Sequence, residues 1–230
     1  MTRPWGCPTF PPMRIPLVRG TSTDSIDLVP SKIVGIGLNY RAHAAEMGKG
    51  LPEEPLIFLK PSSAMIPGGE PIERPAGYER VDYEAELGVV IGQRARRVSR
   101  ERALDFVLGL TICNDVSVRD LQKKDVQYTR AKGFDTFCPI GPRIVAGLDP
   151  SRLAIKTRVN GAIRQDSSTA DMIFDVPALV AFVSMHMTLQ PGDVISTGTP
   201  SGVGNLAPGD VVAIEIEGIG VLENPVIARP

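Results

Sequence analysis

Short apolar runs separated by Gly, Pro and Asn turns set the rhythm of this chain. Ile33–Gly37 and Leu56–Lys60 have the length and apolar content of buried strands, and Pro61 stops the second. Between them, residues 39–47 predict a short helix or turn with His43 and Glu46 on one face at a spacing of three. Residues 81–91 predict one long strand. It alternates at its start, so that Asp82, Glu84 and Glu86 project from one side, and becomes apolar towards Ile91. Ser99 predicts the N-cap of a helix through Ala103, Leu104, Val107 and Leu108, ended by Gly109. A buried strand over residues 110–113 then carries Asn114 and Asp115 at its tip.

Farther on, two strand-like segments flank Asn160-Gly161, a pair whose tolerance of positive φ suits a two-residue hairpin turn. Asp175, followed by Pro177, opens a helix that runs to about Met187. Pro191-Gly192-Asp193 and Pro208-Gly209-Asp210 each introduce a strand, over residues 194–197 and 211–217. Strands outnumber helices and connections are short, so the pattern predicts an α+β, strand-rich fold with a layered-sheet core. Pro4, Pro8, Pro11, Pro12, Pro16 and Pro30 set residues 1–30 apart as an extended arm or small appended strand pair, ahead of one domain over residues 31–230.

Composition removes several classes of function. The 230 residues carry 25 Lys and Arg against 26 Asp and Glu, a formal net charge of −1. Such a balance lacks the basic excess of a nucleic-acid binder. At 43% hydrophobic and 22% charged residues the chain can fill a core, which excludes general disorder. No apolar run approaches the ~18 residues of a spanning helix, and prolines stand where a signal core would be. The expectation is a cytoplasmic protein with neither membrane nor nucleic acid among its partners. Cys7, Cys113 and Cys138 are widely spaced and form no Cys-x-x-Cys, so they read as reduced, the last two as core fillers.

The carboxylates carry the strongest chemical signal. Glu84 and Glu86 on one strand face, with Asp115 at the end of another strand, form an all-oxygen set that selects Mg²⁺, Mn²⁺ or Ca²⁺ over zinc and leaves positions for water or substrate. The same pattern also fits the solvated face of an edge strand, although unpaired carboxylates are costly beside so apolar a continuation. His43 and Glu46 fit either a dyad, in which the carboxylate holds an imidazole base, or a surface ion pair. His186 fits a packed or helix-end histidine. Residues 198–204 (GTPSGVG) let backbone amides approach an anion but lack the ending of a nucleotide loop; a carboxylate-binding loop and a plain turn both remain open. Lys132 reads from its neighbours as an ordinary surface lysine.

Taken together, residues 37–46 (GLNYRAHAAE), 58–61 (FLKP), 82–87 (DYEAEL), 114–120 (NDVSVRD), 132–139 (KGFDTFCP), 159–161 (VNG) and 197–204 (TGTPSGVG) occur in the order of a known family. From about Lys32 onwards the chain resembles the fumarylacetoacetate hydrolase superfamily, and within it the short branch with acylpyruvate hydrolases and oxaloacetate decarboxylases. The resemblance implies mixed sheets with a central β-roll, a homodimer, and Mg²⁺ or Mn²⁺ held by Glu84, Glu86 and Asp115 with Lys60 beside it. It implies a catalytic dyad of His43 and Glu46 on a mobile segment and an active-site lysine at Lys132. It further implies substrate contacts from Arg119, Gln122 and Thr199, and a carboxylate-holding loop that begins at Gly198. Tyr128 departs from the tryptophan of many relatives, which leaves the substrate open.

The implied substrate is a small 2-oxo acid, chelated so that the metal takes up the charge of an enolate. If His43 activates water against a second carbonyl, the carbon–carbon bond of an acylpyruvate or fumarylpyruvate breaks hydrolytically. Without that water, the same site serves an oxaloacetate decarboxylase, a keto–enol tautomerase or a 2-hydroxyhepta-2,4-diene-1,7-dioate isomerase. A non-catalytic binder is the third reading, and the intact dyad, lysine and acids argue against it.

Overall fold

The computed structural model describes residues 12–48 and 50–229; Pro4, Pro8, Pro11 and Cys7 lie outside them. The largest layer is a nine-stranded mixed sheet. Eight of its strands, numbered in chain order, are β1 (Met13–Arg19), β2 (Ser22–Leu28), β3 (Ile33–Gly37), β4 (Leu56–Lys60), β5 (Ala85–Ile91), β6 (Val107–Asn114), β7 (Cys138–Ala146) and β8 (Val194–Ser196). They lie in the order β2-β1-β7-β6-β5-β8-β3-β4, and Met65–Ile66 pairs with the start of β7. A five-stranded sheet is built from Ala162–Ser168, Ala154–Val159, Val211–Ile216, Gly220–Ala228 and Ile72–Arg74. A small third sheet joins Ser117–Val118, Val81–Tyr83 and Gly204–Asn205. The helices are α1 (Arg41–Glu46), α2 (Arg119–Lys124), α3 (Thr129–Lys132) and α4 (Val176–His186). The fold is thus α+β and strand-rich, as the pattern predicts, with the mixed sheets that the resemblance implies. Among the described residues no helix is long and apolar enough to cross a membrane.

Strand β5 is buried along its whole length. Leu87, Val89 and Ile91 enter the main core, while Val90 turns to a second cluster with Ile33, Cys113 and Cys138. Gly88 makes room for this packing, since a Cβ there would meet Cys113 Sγ at 2.6 Å and Thr111 Cγ2 at 2.8 Å. Burial raises the Cys113 thiol well above its ordinary value and pushes Cys138 up to about 12. Both cysteines are free, inert core fillers, as expected.

Several local expectations hold in detail. Asn160 and Gly161 take φ of 52° and 79°, the two positive values a type I′ hairpin turn requires. Asp175 caps α4 by accepting from the Ala178 N–H at 3.0 Å. His186 is the exposed last residue of that helix, its Nδ1 2.9 Å from the Phe182 carbonyl, so it is the helix-end histidine of the two readings. Of residues 1–30, Met13–Arg19 and Ser22–Leu28 form the β1–β2 hairpin, and β1 runs parallel to β7, which places β2 at the edge of the main sheet.

Two expectations are corrected. The strand over 81–91 breaks at Glu84, whose N–H donates to the Asn114 side chain at 3.0 Å instead of to a strand neighbour. Residues 81–83 therefore join the small sheet, and Asp82 leaves the company of Glu84 and Glu86. The helix from Ser99 is a 3-10 segment over Arg100–Phe106, and Val107 and Leu108 already belong to β6. Pairing of Val107 with Ile91 and of Gly109 with Val90 outweighs the local helical pattern. Gly109 marks the close approach of β7, because a Cβ there would lie 2.6 Å from the Val145 carbonyl oxygen.

Candidate active site

The β5–β6 pairing assembles the acids. Ala85 lies opposite Asn114 and Glu86 opposite Cys113, which puts residues 84 and 86 on the same face as 113 and 115. Ligand oxygens of Glu84, Glu86 and Asp115 come within 4.8 Å of one another, and all three residues are buried. The solvated-face reading is thereby excluded.

Buried cations close around them. Lys60, at the end of β4, donates to Asp115 Oδ1 at 2.6 Å. Lys132, on α3, donates to Glu84 Oε2 at 2.9 Å, to Ser117 Oγ at 2.8 Å and to Asp115 Oδ2. At 2% exposure Lys132 is not the surface lysine its sequence neighbours suggest; the short α3 turns it inward. Arg119 Nε donates to Asp82 at 2.7 Å, one terminal nitrogen donates to Gln122 Oε1 at 2.7 Å, and the other lies 2.6 Å from Glu84 Oε1. Arg119 thus ties Asp82, Gln122 and a central acid together.

Burial opposes ionisation of Glu84, but Lys132 and Arg119 overcome it and hold its carboxyl well below the usual range. Burial alone would lower the Lys132 ammonium; Asp115 and Glu84 raise it instead. Glu86 differs. It accepts from the Gly198 N–H at 2.9 Å and has no ion-pair partner among the described residues. Burial, then Asp115 and Glu84, push its carboxyl up to about 8. Lys60, Lys132 and Arg119 pair with Asp115, Glu84 and Asp82, and Arg80 Nε also donates to Asp82 at 2.8 Å, so that of these four buried acids Glu86 is the one without an ion-pair partner among the described residues. An all-carboxylate donor set in which one acid is left unpaired fits a hard divalent cation such as Mg²⁺ or Mn²⁺.

Above the acids, the end of β3 runs into α1. Asn39 clamps this turn: its Nδ2 donates to the carbonyls of Thr197 at 2.8 Å and Phe174 at 3.0 Å, while its Oδ1 accepts from the Phe174 N–H at 2.8 Å. On α1, His43 is buried and its Nδ1 lies 3.1 Å from Glu46 Oε2. Glu46 also accepts from the Gly202 N–H at 3.2 Å, so the dyad is docked on the glycine-rich loop.

A cavity of about 400 Å³ joins these parts, within the range of small-molecule sites. It brings together His43, Glu84, Glu86, Arg119, Gln122, Lys132 and Thr199. Lys60 and Asp115 lie behind its wall, and Gly198 supports it through Glu86. Phe58 and Tyr128 form an aromatic side, with ring centroids 5.7 Å apart and Lys132 Nζ 4.8 Å from the Phe58 centroid. Phe58 has room because it crosses Gly35, where a Cβ would meet its ring at 2.1 Å. Sequence reasoning names no role for Phe58, Asn39 or Asp82. The first lies within the FLKP motif, the second within GLNYRAHAAE and the third within DYEAEL, but Asp82 gains its bond from Arg119, beside a local one from Arg80 at 2.8 Å, only when α2 packs against the small sheet.

The scaffold is strand-rich, and its central strands present to a dyad-capped cavity a buried carboxylate set that could hold a metal ion. The family model described as fumarylacetoacetate (FAA) hydrolase C-terminal matches residues 32–227, and the chain belongs to that family. An uncharacterized protein of Methanocaldococcus jannaschii is 57% identical over 89% of this chain and 86% of its own length. The 4-hydroxyphenylacetate degradation bifunctional isomerase/decarboxylase of Escherichia coli is 43% identical over 96% of this chain, which spans 54% of that protein. The mitochondrial oxaloacetate tautomerase of Xenopus laevis is 44% identical over 86% of this chain and 66% of its own length. Among solved structures, a 5-carboxymethyl-2-hydroxymuconate delta-isomerase from Mycobacterium smegmatis matches with TM-score 0.84 at 52% identity, covering 89% and 81% of the two chains. A fumarylpyruvate hydrolase from Pseudomonas aeruginosa, in complex with Mn²⁺ and pyruvate, matches with TM-score 0.88 at 28% identity over 99% and 100%.

Proposed function

We propose that the chain is a divalent-metal-dependent enzyme that enolises small 2-oxo acids and hydrolyses a carbon–carbon bond of acylpyruvate-type 2,4-diketo acids. The observation that carries this reading is the meeting, in one cavity, of the buried acids with the His43–Glu46 dyad. Glu84, Glu86 and Asp115 would hold Mg²⁺ or Mn²⁺, which when bound would supply Lewis acidity towards the oxygens of the substrate.

The protein's own groups do the rest. An Nδ1–H donated to Glu46 leaves the Nε2 lone pair of His43 as the base, and Glu46 stabilises the imidazolium that forms. His43 takes a proton from water as its oxygen adds to the distal carbonyl carbon. The bond between that carbon and the methylene then breaks, giving a carboxylic acid and pyruvate, with the proton returned to the pyruvate methylene. Lys132 places fixed positive charge beside the developing anion. Arg119 keeps Glu84 and Gln122 in place, and Thr199 meets the substrate's oxygens.

A second reading, isomerisation, decarboxylation or keto–enol tautomerisation of an oxaloacetate-like or dienoic diacid, is favoured by one observation. Relatives bearing those names are 43–52% identical, beside a fumarylacetoacetate hydrolase at 42% and the fumarylpyruvate hydrolase at 28%. In that case His43 moves a proton between carbon and oxygen, and no water attacks.

Turnover of acetylpyruvate and oxaloacetate by chelator-stripped protein, with and without Mg²⁺, separates the two. Metal-dependent acetate supports hydrolysis. Consumption of oxaloacetate alone moves the assignment to the second reading, and inertness towards both rejects the short substrates. The proposal includes a cytoplasmic homodimer; the exposed Leu56 and Leu59 on edge strand β4 support a partner there, and sedimentation of the purified protein tests it.

A further inference from the structure

Gln165 lies on Ala162–Ser168 in the five-stranded sheet, outside the motifs that suggest chemistry, and is 1% exposed. Its side-chain amide holds four partners. Oε1 accepts from Thr157 Oγ1 at 2.7 Å and from the Ala85 N–H at 3.2 Å. Nε2 donates to Thr199 Oγ1 and to the Pro200 carbonyl, each at 2.9 Å. The amide has a single possible orientation, because the Ala85 N–H can only donate and the Pro200 carbonyl can only accept.

That orientation dictates the polarity of Thr199. Its oxygen receives a hydrogen from Gln165, so its own hydrogen must go elsewhere, and among the described residues it has no protein acceptor. Thr199 is 4% exposed and lines the cavity. The same amide grips Ala85, the residue between Glu84 and Glu86, so one side chain ties the anion-facing loop to the acidic strand.

We propose that Gln165 is a positioning residue that makes the Thr199 hydroxyl an obligate hydrogen-bond donor to the acceptor oxygens of an anionic 2-oxo acid. The inference rests on the substrate class proposed above. A carboxylate or carbonyl oxygen can only accept, so a hydroxyl whose hydrogen is free for the cavity selects such a ligand over one that must donate there.

The test is calorimetric titration of Mg²⁺-loaded protein with pyruvate. Gln165→Glu keeps both acceptor bonds but removes the donor, so the Thr199 hydroxyl turns back towards residue 165. Pyruvate binding is expected to weaken roughly ten- to hundredfold, as for a lost hydrogen bond to a charged group, with Mg²⁺ affinity kept. Thr199→Val is expected to show the same loss, Thr199→Ser to retain binding, and the double variant to be no worse than Thr199→Val. If Gln165→Glu does not fold, Gln165→Met, which carries no buried charge and leaves the Thr199 hydroxyl free to rotate, is expected to weaken pyruvate binding by about a few-fold with Mg²⁺ affinity kept, and unchanged binding overturns the role of Gln165. Wild-type protein that binds pyruvate beside an unchanged Gln165→Glu, or single losses that multiply in the double variant, overturns the role of Gln165 alone. A wild type blind to pyruvate overturns the 2-oxo acid reading, and this inference with it.

Discussion

The acidic cluster and the His43–Glu46 dyad face the same cavity but are built in opposite ways. The acids sit on or beside central strands, and Glu84 and Asp115 are each held by two cations. The dyad sits on a six-residue helix at the sheet's margin, joined by one bond at 3.1 Å and held to the Gly202 N–H at 3.2 Å, with the Glu46 side chain 39% exposed. A pair with one partner open to water is worth about 0.2–1 kcal/mol, whereas breaking a buried pair costs about 3–5 kcal/mol. The contrast follows from what each part must do. Under the proposed function, charges that are to hold an ion need fixed geometry in a medium of low polarisability, while groups that are to exchange protons with water need access to it.

Changes on the two sides are expected to differ in kind as well as size. Glu84→Ala removes a ligand and strands Lys132 and Arg119, so Mg²⁺ binding should vanish and every activity fall by at least about a thousandfold. Calorimetry and turnover check this, and a variant that keeps its metal dissolves the comparison. His43→Ala should lower hydrolysis by about a hundred- to a thousandfold while leaving Mg²⁺ affinity intact; parallel loss of both would mean that the two regions are one.

A third expectation sharpens the electrostatic half. Glu86 titrates at about 8 in the metal-free fold against an ordinary 4.5. The folded state therefore holds this proton more tightly, and the group's contribution to metal-free stability declines as pH rises from 4.5 to about 8. Mg²⁺ needs the ionised form, so its affinity should rise about tenfold per pH unit below that value and level off above it. Titrations at pH 7 in buffers of different ionisation enthalpy should detect up to about one proton released per ion; none released removes Glu86 from the site. The smallest effect is expected of Glu46→Gln. It still accepts from Gly202 but supports the imidazolium less well, for about a tenfold loss in turnover with unchanged metal binding.

What was legible in the chain differs between the two regions. The dyad follows from a spacing of three on a short helix, a local property. The pairing of Glu84 and Glu86 is equally local, since alternate residues of a strand share a face. Asp82 shows where that logic ends. It obeys the alternation, yet the ladder breaks at Glu84 to satisfy Asn114, and Asp82 goes to Arg119 instead. Lys132 fails in the opposite direction: nothing among its neighbours marks it as buried, because its partners come from residues 84, 115 and 117. The helix expected after Ser99 was lost for the same cause, a strand partner outweighing local propensity.

By itself the sequence determined the strand-rich class, the hairpin at Asn160-Gly161, the cap at Asp175, and which residue types were available for chemistry, because these depend on backbone preference and periodicity over a few residues. Only the tertiary structure decided which acids meet, that Lys60 and Lys132 are buried against Asp115, that Glu86 is left without a cation, and that Gln165 reaches Thr199. Those outcomes arise from pairing between strands distant in the chain and from the low polarisability inside the fold, where a charge is stable only beside its partner.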